Sequence, residues 1–576
     1  MFRKSGRMTL QLALLAAFVG TALVAAGPAA SSSYSITADG TPLTVTTTAS
    51  GENVRATFSG VAGQRVSLDI TGVSIGSSGC CSMQVWLAKP DGTLLIKKTY
   101  VGTAGGFLNT RTLPVNGTYK IMLDPQGTAK GSATLKLYTV PDDLSIPATA
   151  DGSPNVASVG TPGQNAYFPF SGTAGQRVSL EVSDVTMPSA KVSILKPNGN
   201  ELLSAVSVNE LGAFFDPRTL PVGGTYKVFL NPLSRSTGDA TVRLHDVPAD
   251  VTGTIVAGGA PQTVSITAPG QNARLTFSGT AGDRVSLSLS GVTIGSSACC
   301  STKVSILNPD GSALMPATLV GTSGAFLDRK ALPATGTYKI VVNPQSAATG
   351  DMTLQLYDVP DDDSGPIAAG TPLTSTLSSP GQNATYTFSG ALGDRVSLDV
   401  SAVSFDSVEV GIKKPDGTYL VSPVTISASG GFLDAKVLPV GGTYRVQVDP
   451  VGDATGSATL NLYDVPADAS GSITIDGSSA SLTITTPGQN GKLTFSAGAA
   501  QDLFLDVSGV TIGSSSCCSA KISILKPDGT KLLFPTFVGT SGGSFDTTTT
   551  VAGTYTIVVD PQGNATGDIT LQLSSV

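Results

Sequence analysis

The chain has 576 residues, including 67 glycines and 35 prolines, and only 13% of them are charged, a composition that disfavours a helical protein. Its length exceeds what one hydrophobic core holds, so we expect several domains, and its mean hydropathy of +0.19 excludes a disordered chain. A formal net charge of −7, dispersed along the sequence, gives no basis for nucleic acid binding.

The N-terminal segment has the pattern of a secretory signal. Three basic residues lie within the first seven positions, an almost wholly apolar stretch follows, and small residues stand at Val24-Ala25-Ala26. We predict a signal peptide over residues 1–26 and a secreted, extracellular protein, with cell-surface association left open. An uncleaved membrane anchor is the alternative, because the apolar stretch approaches the length of a span. No second long apolar run follows, so we expect no membrane span after cleavage.

One sequence module recurs five times. A "TFSG"-like string returns every 107 to 112 residues, and each copy is followed later by "GTY". This period is longer than that of a solenoid repeat and matches a self-sufficient β-sandwich. The phenylalanines of the first string are Phe58, Phe170, Phe277, Phe388 and Phe495, and the tyrosines of the second are Tyr119, Tyr226, Tyr338, Tyr444 and Tyr555.

Within a module the apolar residues alternate, as in "RVSLSLSGV" of the third copy, and "NPDG"-like turns separate the runs. We count about eight strands per module and predict an all-β protein of five tandem antiparallel β-sandwich modules, jelly-roll-like. About ten polar or small residues after each "LYDVP"-like end form the expected linkers. The predicted boundaries are 32–143, 144–249, 250–361, 362–467 and 468–576.

Several stretches carry a family resemblance. The strings "FSGxxGxRVSL", "KPDGT", "LPxxGTYxIxVDP" and "GxxTLxLY" resemble bacterial pre-peptidase C-terminal domains across all five modules. With "GVTIGSSxCCS" and "LYDVPAD", they are similar to tandem modules of large secreted actinobacterial proteins, some of which carry RHS repeats. The resemblance implies a jelly-roll-like sandwich with an accessory, binding or spacer role, and it brings no catalytic residues.

Catalytic patterns are weak. His245 is the only histidine and stands in "RLHDVP", where other copies have a tyrosine, so we interpret it as structural. The string "GTSGG" around Ser541 matches a nucleophile elbow in letters alone, because that elbow needs a strand, a turn and a helix. We therefore predict that the chain is not an enzyme and has no catalytic residue and no cofactor.

Two further features are candidate contacts. Asp361, Asp362 and Asp363 stand together in a linker and offer the oxygen ligands that Ca²⁺ prefers, with a solvated linker as the alternative. Trp86 is the only tryptophan and alternates with Val85 and Leu87, which puts it on the opposite face of a strand. An exposed indole there would stack on a sugar ring or another apolar partner, and surface drift is the alternative.

The six cysteines form three adjacent pairs in "GSSxCCS" loops that the second and fourth modules lack. Each loop offers only two adjacent sulfurs, so it lacks the four ligands of a tetrahedral metal site. It also lacks the C-x-x-C spacing of thioredoxin-type redox sites. In an oxidising compartment each cysteine's nearest partner is its neighbour, so we predict three vicinal disulfides that shape a loop. The pairs are Cys80–Cys81, Cys299–Cys300 and Cys517–Cys518.

These patterns predict a secreted, non-enzymatic modular rod that acts as an extracellular or cell-surface spacer, adhesion or binding protein. The alternative is a carbohydrate- or polymer-binding accessory protein that serves a separate enzyme or toxin. An extracellular polymer, a glycan or a surface protein is the expected partner under either hypothesis.

Overall fold

The computed structural model describes residues 31–576, so the predicted signal peptide lies outside the described residues. All regular structure in this part of the chain is β, in 45 strands without a helix. Within residues 31–576, no helix is long and apolar enough to cross a membrane.

The strands fall into five sets of nine, which we call repeats 1 to 5 because their sheet orders are the same. Repeat 1 contains β1 Ser31–Ser35, β2 Leu43–Thr47, β3 Asn53–Gly60, β4 Arg65–Thr71, β5 Met83–Ala88, β6 Leu94–Val101, β7 Gly106–Thr112, β8 Gly117–Pro125 and β9 Gly131–Thr139. Repeat 2 contains β10 Leu144–Ser145, β11 Asn155–Val159, β12 Ala166–Gly172, β13 Arg177–Ser183, β14 Ala190–Leu195, β15 Glu201–Val208, β16 Ala213–Thr219, β17 Gly224–Pro232 and β18 Gly238–Asp246.

The remaining 27 strands follow the same plan. Repeat 3 contains β19 Val251–Thr254, β20 Gln262–Ile266, β21 Ala273–Gly279, β22 Arg284–Ser290, β23 Thr302–Leu307, β24 Ala313–Val320, β25 Ala325–Ala331, β26 Gly336–Pro344 and β27 Gly350–Val359. Repeat 4 contains β28 Asp363–Pro366, β29 Leu373–Leu377, β30 Ala384–Gly390, β31 Arg395–Ser401, β32 Val408–Lys413, β33 Tyr419–Ile426, β34 Gly431–Val437, β35 Gly442–Pro450 and β36 Gly456–Asp464. Repeat 5 contains β37 Ala469–Ser472, β38 Ala480–Ile484, β39 Gly491–Ala497, β40 Asp502–Ser508, β41 Ala520–Leu525, β42 Lys531–Val538, β43 Gly543–Thr548, β44 Gly553–Pro561 and β45 Gly567–Ser575.

Each repeat contains a five-stranded and a four-stranded sheet. In repeat 1 the orders are β1-β3-β8-β5-β6 and β2-β9-β4-β7, and the other repeats reproduce them. Alternate side chains of strands such as β8 are buried, as the period-two pattern of a sheet with one core face requires. Each repeat consequently has its own cluster of buried apolar side chains.

The predicted fold class, five tandem antiparallel β-sandwich modules of jelly-roll type, was wrong. The strands are instead arranged as a β-solenoid of about 21 turns. The chain coils because it passes from one sheet to the other at seven of the eight connections in each repeat. The 107–112-residue period is that of a nine-stranded repeat, whereas the chain changes sheet from strand to strand within each repeat. The hydrogen bonding is not that of a regular parallel solenoid, since each described ladder joins strands of one repeat.

Two details of the predicted module also needed correction. Each repeat has nine strands instead of eight, and the additional strand lies in the expected linker, as β19 does. This strand pairs in parallel with the third strand of its repeat, as β1 does with β3, so the five-stranded sheets are mixed. The predicted domain boundaries remain a prediction. By compactness the chain divides into two units, Met1–Val247 and Pro248–Val576.

A stacked phenylalanine and tyrosine lie at the centre of each repeat. Phe58 of β3 is directly opposite Tyr119 of β8, with ring centroids 5.5 Å apart. The Tyr119 hydroxyl donates a 2.7 Å hydrogen bond to the carbonyl of Val115, so the buried phenol is satisfied and the preceding turn is held. The same pair recurs as Phe170–Tyr226, Phe277–Tyr338, Phe388–Tyr444 and Phe495–Tyr555.

Neighbouring repeats are joined by a recurring hydrogen bond within each unit. In the first unit, the Ser67 hydroxyl on β4 donates to the carbonyl of Pro162 in the "PGQN" turn of repeat 2, at 2.7 Å. In the second unit, Ser286 and Pro380 join repeats 3 and 4, and Ser397 and Pro487 join repeats 4 and 5, also at 2.7 Å. The predicted linkers are therefore ordered joints.

A second contact at each joint varies in chemistry while its position stays constant. Asp69 of repeat 1 pairs with Arg235 of repeat 2 at 3.0 Å. The Ser288 hydroxyl donates to Asp453 at 3.0 Å in the joint of repeats 3 and 4. The Asn564 amide donates to Asp399 at 3.1 Å in the joint of repeats 4 and 5. Each joint therefore has a complementary pair of its own.

Replacing Gly279 by alanine should destabilise repeat 3, because the added Cβ would lie 2.2 Å from Cδ1 of Leu332. We expect a loss of about 1–3 kcal/mol, typical of overpacking. Repeat 5 has Ala497 and Thr549 at these two positions. The double variant Gly279→Ala/Leu332→Thr should therefore be less destabilised than the sum of its single variants in denaturant unfolding. Strict additivity of the two substitutions would contradict this interpretation.

Candidate functional site

The three cysteine-pair loops are the most distinctive feature shared by repeats 1, 3 and 5. All six cysteines are oxidised, and each is bonded to its sequence neighbour across a Cα–Cα distance of 3.8 Å. The predicted vicinal disulfides are thus confirmed. Each pair is solvent-exposed and lies between the fourth and fifth strands of its repeat.

A serine two residues before the first cysteine organises each loop. In repeat 1 the Ser78 hydroxyl lies 3.6 Å from Sγ of Cys80 and accepts the backbone N–H of Cys81 at 3.3 Å. The Ser82 hydroxyl donates back to the Ser78 carbonyl at 2.9 Å. Ser297 and Ser515 make the corresponding bonds in repeats 3 and 5. The loop is therefore closed by a covalent bond and by hydrogen bonds.

The loop docks onto the connection between the sixth and seventh strands. In repeat 1 the N–H groups of Thr103 and Ala104 donate to the carbonyls of Ser78 and Gly79, at 2.9 and 3.3 Å. The same two bonds occur in repeats 3 and 5, where Ser541 is one of the donors. The "GTSGG" string is therefore part of this docking loop, in keeping with our rejection of a nucleophile elbow.

Sequence reasoning missed a glycine on which the docking depends. A Cβ at Gly102 would lie 2.2 Å from the Ser78 carbonyl oxygen, and Gly321 and Gly539 are equally confined. The cysteine-free repeats 2 and 4 have Asn209 and Ser427 at this position. Because the glycine accompanies the cysteine pair in every copy, the five aligned modules already contained this signal.

The structure does not bring the candidate calcium ligands together. Asp361 pairs with Arg284, Asp362 pairs with Arg329, and Asp363 accepts the Tyr386 hydroxyl at 2.5 Å. Burial and then Asp363 raise the pKa of Tyr386 to about 12. Among residues 31–576, no group of three or more acidic, histidine or cysteine side chains is placed to hold a metal ion. These aspartates belong to the joint between repeats 3 and 4.

His245 lies on β18, where Nε2 is 3.7 Å from a carboxylate oxygen of Glu181. Burial lowers the pKa of His245, and the neighbouring Glu181 opposes that effect. The ring also packs against the backbone of Gly152, where a Cβ would be 3.1 Å from Nδ1. These contacts are those of a packed side chain near the end of an interior strand.

Trp86 lies on the outer face of β5, half-buried, with Met122 of β8 as its cross-strand neighbour. The Lys98 ammonium stands 4.4 Å from the centroid of the indole, a cation–π contact. The indole therefore lies on the face predicted from its alternation with Val85 and Leu87, whereas its contact with Lys98 was not predicted.

The joint between repeats 3 and 4 contains a polar cleft rich in carboxylates. Glu409 and Asp449 are cross-strand neighbours in repeat 4, and Asp328 of repeat 3 lines the same cleft. Although Asp449 keeps an exposed edge, partial burial and then the charges of Asp328 and Glu409 raise the pKa of its carboxyl. In repeat 5, Lys521 occupies the position of Glu409. The joint between repeats 4 and 5 therefore lacks this excess of carboxylates.

Comparisons with known proteins give no family for this chain. No family model and no curated protein matches it. The CUB1-EGF-CUB2 domain of human MASP-1/3 is similar at 11% identity and a TM-score of 0.18, covering 55% of this chain and all of that one. SGBP-B of Bacteroides ovatus, in complex with a mixed-linkage heptasaccharide, matches at 14% identity and a TM-score of 0.10, covering 68% and 89%.

A third match is the M60 catalytic domain with CBM51-1 and CBM51-2 from Clostridium perfringens ZmpB. It has 9% identity and a TM-score of 0.15, and it covers 74% of this chain and 56% of that one. At these TM-scores the likenesses carry no argument about the fold or function of this chain.

Replacing Gly321 by asparagine, the residue of repeat 2, should undock one cysteine loop. The new side chain displaces the Ser297 carbonyl, so the two backbone hydrogen bonds to the loop are lost. At about 0.5–1.5 kcal/mol for each bond, Cys299–Cys300 should be reduced several-fold faster by a small thiol. Alkylation followed by peptide mass mapping measures the rate, with Cys80–Cys81 and Cys517–Cys518 as controls in the same molecule. Equal rates at all three pairs would refute the docking role of the glycine.

Asp449→Asn should change how stability depends on pH. Because the folded-state pKa of Asp449 is raised, its contribution is full below the unfolded-chain pKa and is lost as pH rises through the raised value. The variant should therefore be more stable than the natural chain at neutral pH, and the difference should shrink toward about pH 3. Repeats 2 and 3 have Asn231 and Asn343 at this position, so the substitution fits the fold. Thermal unfolding of both proteins across this range provides the measurement, and parallel stability curves would contradict it.

Proposed function

We propose that this chain is a secreted, non-catalytic protein that acts outside the cell or at its surface as a spacer, adhesion or binding protein. The observation that carries the proposal is the recurring joint, in which a serine hydroxyl of one repeat binds a proline carbonyl of the next at 2.7 Å. Such a joint holds successive repeats in register while their other surfaces remain free for contact.

Ionic contacts strengthen the same joints. Arg65 pairs with Asp143 and Arg395 pairs with Asp468, each at 2.6 Å and each with largely buried side chains. Partly buried, hydrogen-bonded pairs of arginine and carboxylate give geometric definition as well as attraction. A protein that presents surfaces at set spacings needs this definition, whereas a flexibly tethered array would not.

The exposed disulfide loops support a display role. Each loop presents two sulfur atoms and several neutral polar groups, and its backbone is fixed by the docking glycine. Fixing a loop before it meets a partner reduces the entropy that binding would otherwise cost. The resemblance to pre-peptidase C-terminal domains supports an accessory role of the same kind.

A carbohydrate- or polymer-binding accessory role is the second candidate. Trp86 favours it, because an indole on an open sheet face beside cations suits a ligand with an apolar ring face. The two candidates differ in whether the chain serves a separate enzyme or toxin.

Co-sedimentation with insoluble bacterial wall polymer and with chitin tests the proposal. The mature protein should enter the pellet while the supernatant gains neither reducing sugar nor free amino groups. The matched control is the six-fold cysteine-to-serine variant, which should keep the fold, since repeats 2 and 4 have no cysteine. Protein-dependent release of soluble fragments, or absence of the protein from both pellets, would contradict the proposal.

A further inference from the structure

The outer face of the five-stranded sheet in repeat 1 combines basic and aromatic side chains. Arg55 of β3 and Trp86 of β5 are both cross-strand neighbours of Met122 on β8, so the three form one row. Lys98 of β6 lies over the indole at the end of that row. Adjacent strands are about 4.8 Å apart, so this row spans roughly 15 Å.

Two more side chains widen this face. Lys120 lies two residues before Met122 on the same strand, and Tyr100 pairs with Gln84 at the edge of the sheet. The Tyr100 side chain is exposed over 55% of its surface. We define the outer face of repeat 1 by Arg55, Trp86, Lys98, Tyr100, Lys120 and Met122. Asp124, two residues after Met122 on β8, is the carboxylate on the same side of the sheet.

The cations of this face are available to a partner. Among residues 31–576, none of Arg55, Lys98 and Lys120 lies within ion-pair distance of a carboxylate, and Arg55 only donates to the Ser33 hydroxyl at 2.9 Å. Three unneutralised cations on one sheet face contrast with the chain's net charge of −7. Such a patch attracts anionic groups.

The equivalent face of repeat 4 is built differently. Gly411 stands at the position of Trp86 and Gln447 at that of Met122, and both line a cleft with Arg329 and Asp362 from the joint with repeat 3. In repeat 1 the same positions are Trp86 and Met122, which are half-buried, and Arg55, Lys98 and Tyr100 around them are exposed.

We propose that the outer face of repeat 1 binds a linear polysaccharide that carries carboxylate groups. The cations pair with the carboxylates, and Trp86, Met122 and Tyr100 pack against the apolar faces of the sugar rings. A phosphate polymer without rings would use the cations alone and leave the aromatic strip uncovered. This inference rests on the proposed binding role and specifies its ligand.

The test uses the mature protein and polygalacturonate, followed by isothermal titration calorimetry. Binding should weaken as salt is raised. Trp86→Ser should reduce affinity about 2- to 12-fold, and Lys98→Ala/Lys120→Thr should reduce it further and flatten the salt dependence. These replacements are the residues that other repeats have at the same positions (Ser305, Ala205 and Thr556), so the fold should tolerate them. Lys130→Gln, in the turn after β8, is the matched charge control and should bind normally.

Four outcomes would overturn the inference. The first two are no binding of polygalacturonate by the natural chain and equal binding by the Trp86 and lysine variants. The third is binding of inorganic polyphosphate as tight as that of polygalacturonate. The fourth, equal affinity for the fully methyl-esterified polymer, would exclude carboxylate recognition. Each of these results leaves wall-polymer co-sedimentation unaffected, so the ligand assignment and the broader proposed function fail separately.

Discussion

The stacked phenylalanine and tyrosine that join the third and eighth strands constrain the rest of each repeat. The tyrosine is fully buried in all five copies, and its hydroxyl binds the turn just before its own strand. Four of the copies add a glycine whose missing Cβ admits a leucine against the tyrosine ring. With this centre fixed, the outward side chains of the same strands can vary without disturbing the core.

That freedom explains why the repeats share a scaffold and differ in surface chemistry. The joint keeps its serine and proline, while the neighbouring contact changes from Asp69–Arg235 to Ser288–Asp453. Likewise a glycine at the docking position accompanies a cysteine loop, and Asn209 or Ser427 accompanies its absence. We therefore expect the functional residues on sheet faces and loops, because polar side chains there do not disturb the packing of the core.

Local patterns predicted the strands well and their assembly poorly. Period-two alternation located eight of the nine strands in repeat 3, but β19 has the small, polar composition of a linker and forms only by pairing with β21. Alternation does not report which sheet receives each strand, so the coiling between sheets was missed and the fold class was wrong. For the site, the adjacency of the cysteines in the sequence was enough to predict the disulfides. The contact of Lys98 with the Trp86 ring could not be predicted in this way, because it depends on a register shift between β5 and β6.

Peptide mapping of the non-reduced, secreted protein tests most directly the claim that each cysteine pair closes on itself to shape a docked loop. The peptides containing Cys80–Cys81, Cys299–Cys300 and Cys517–Cys518 should each be two hydrogens lighter than the dithiol form and unlinked to any other peptide. Cross-linked peptides from two different repeats, or three pairs of free thiols in freshly secreted protein, would contradict the account.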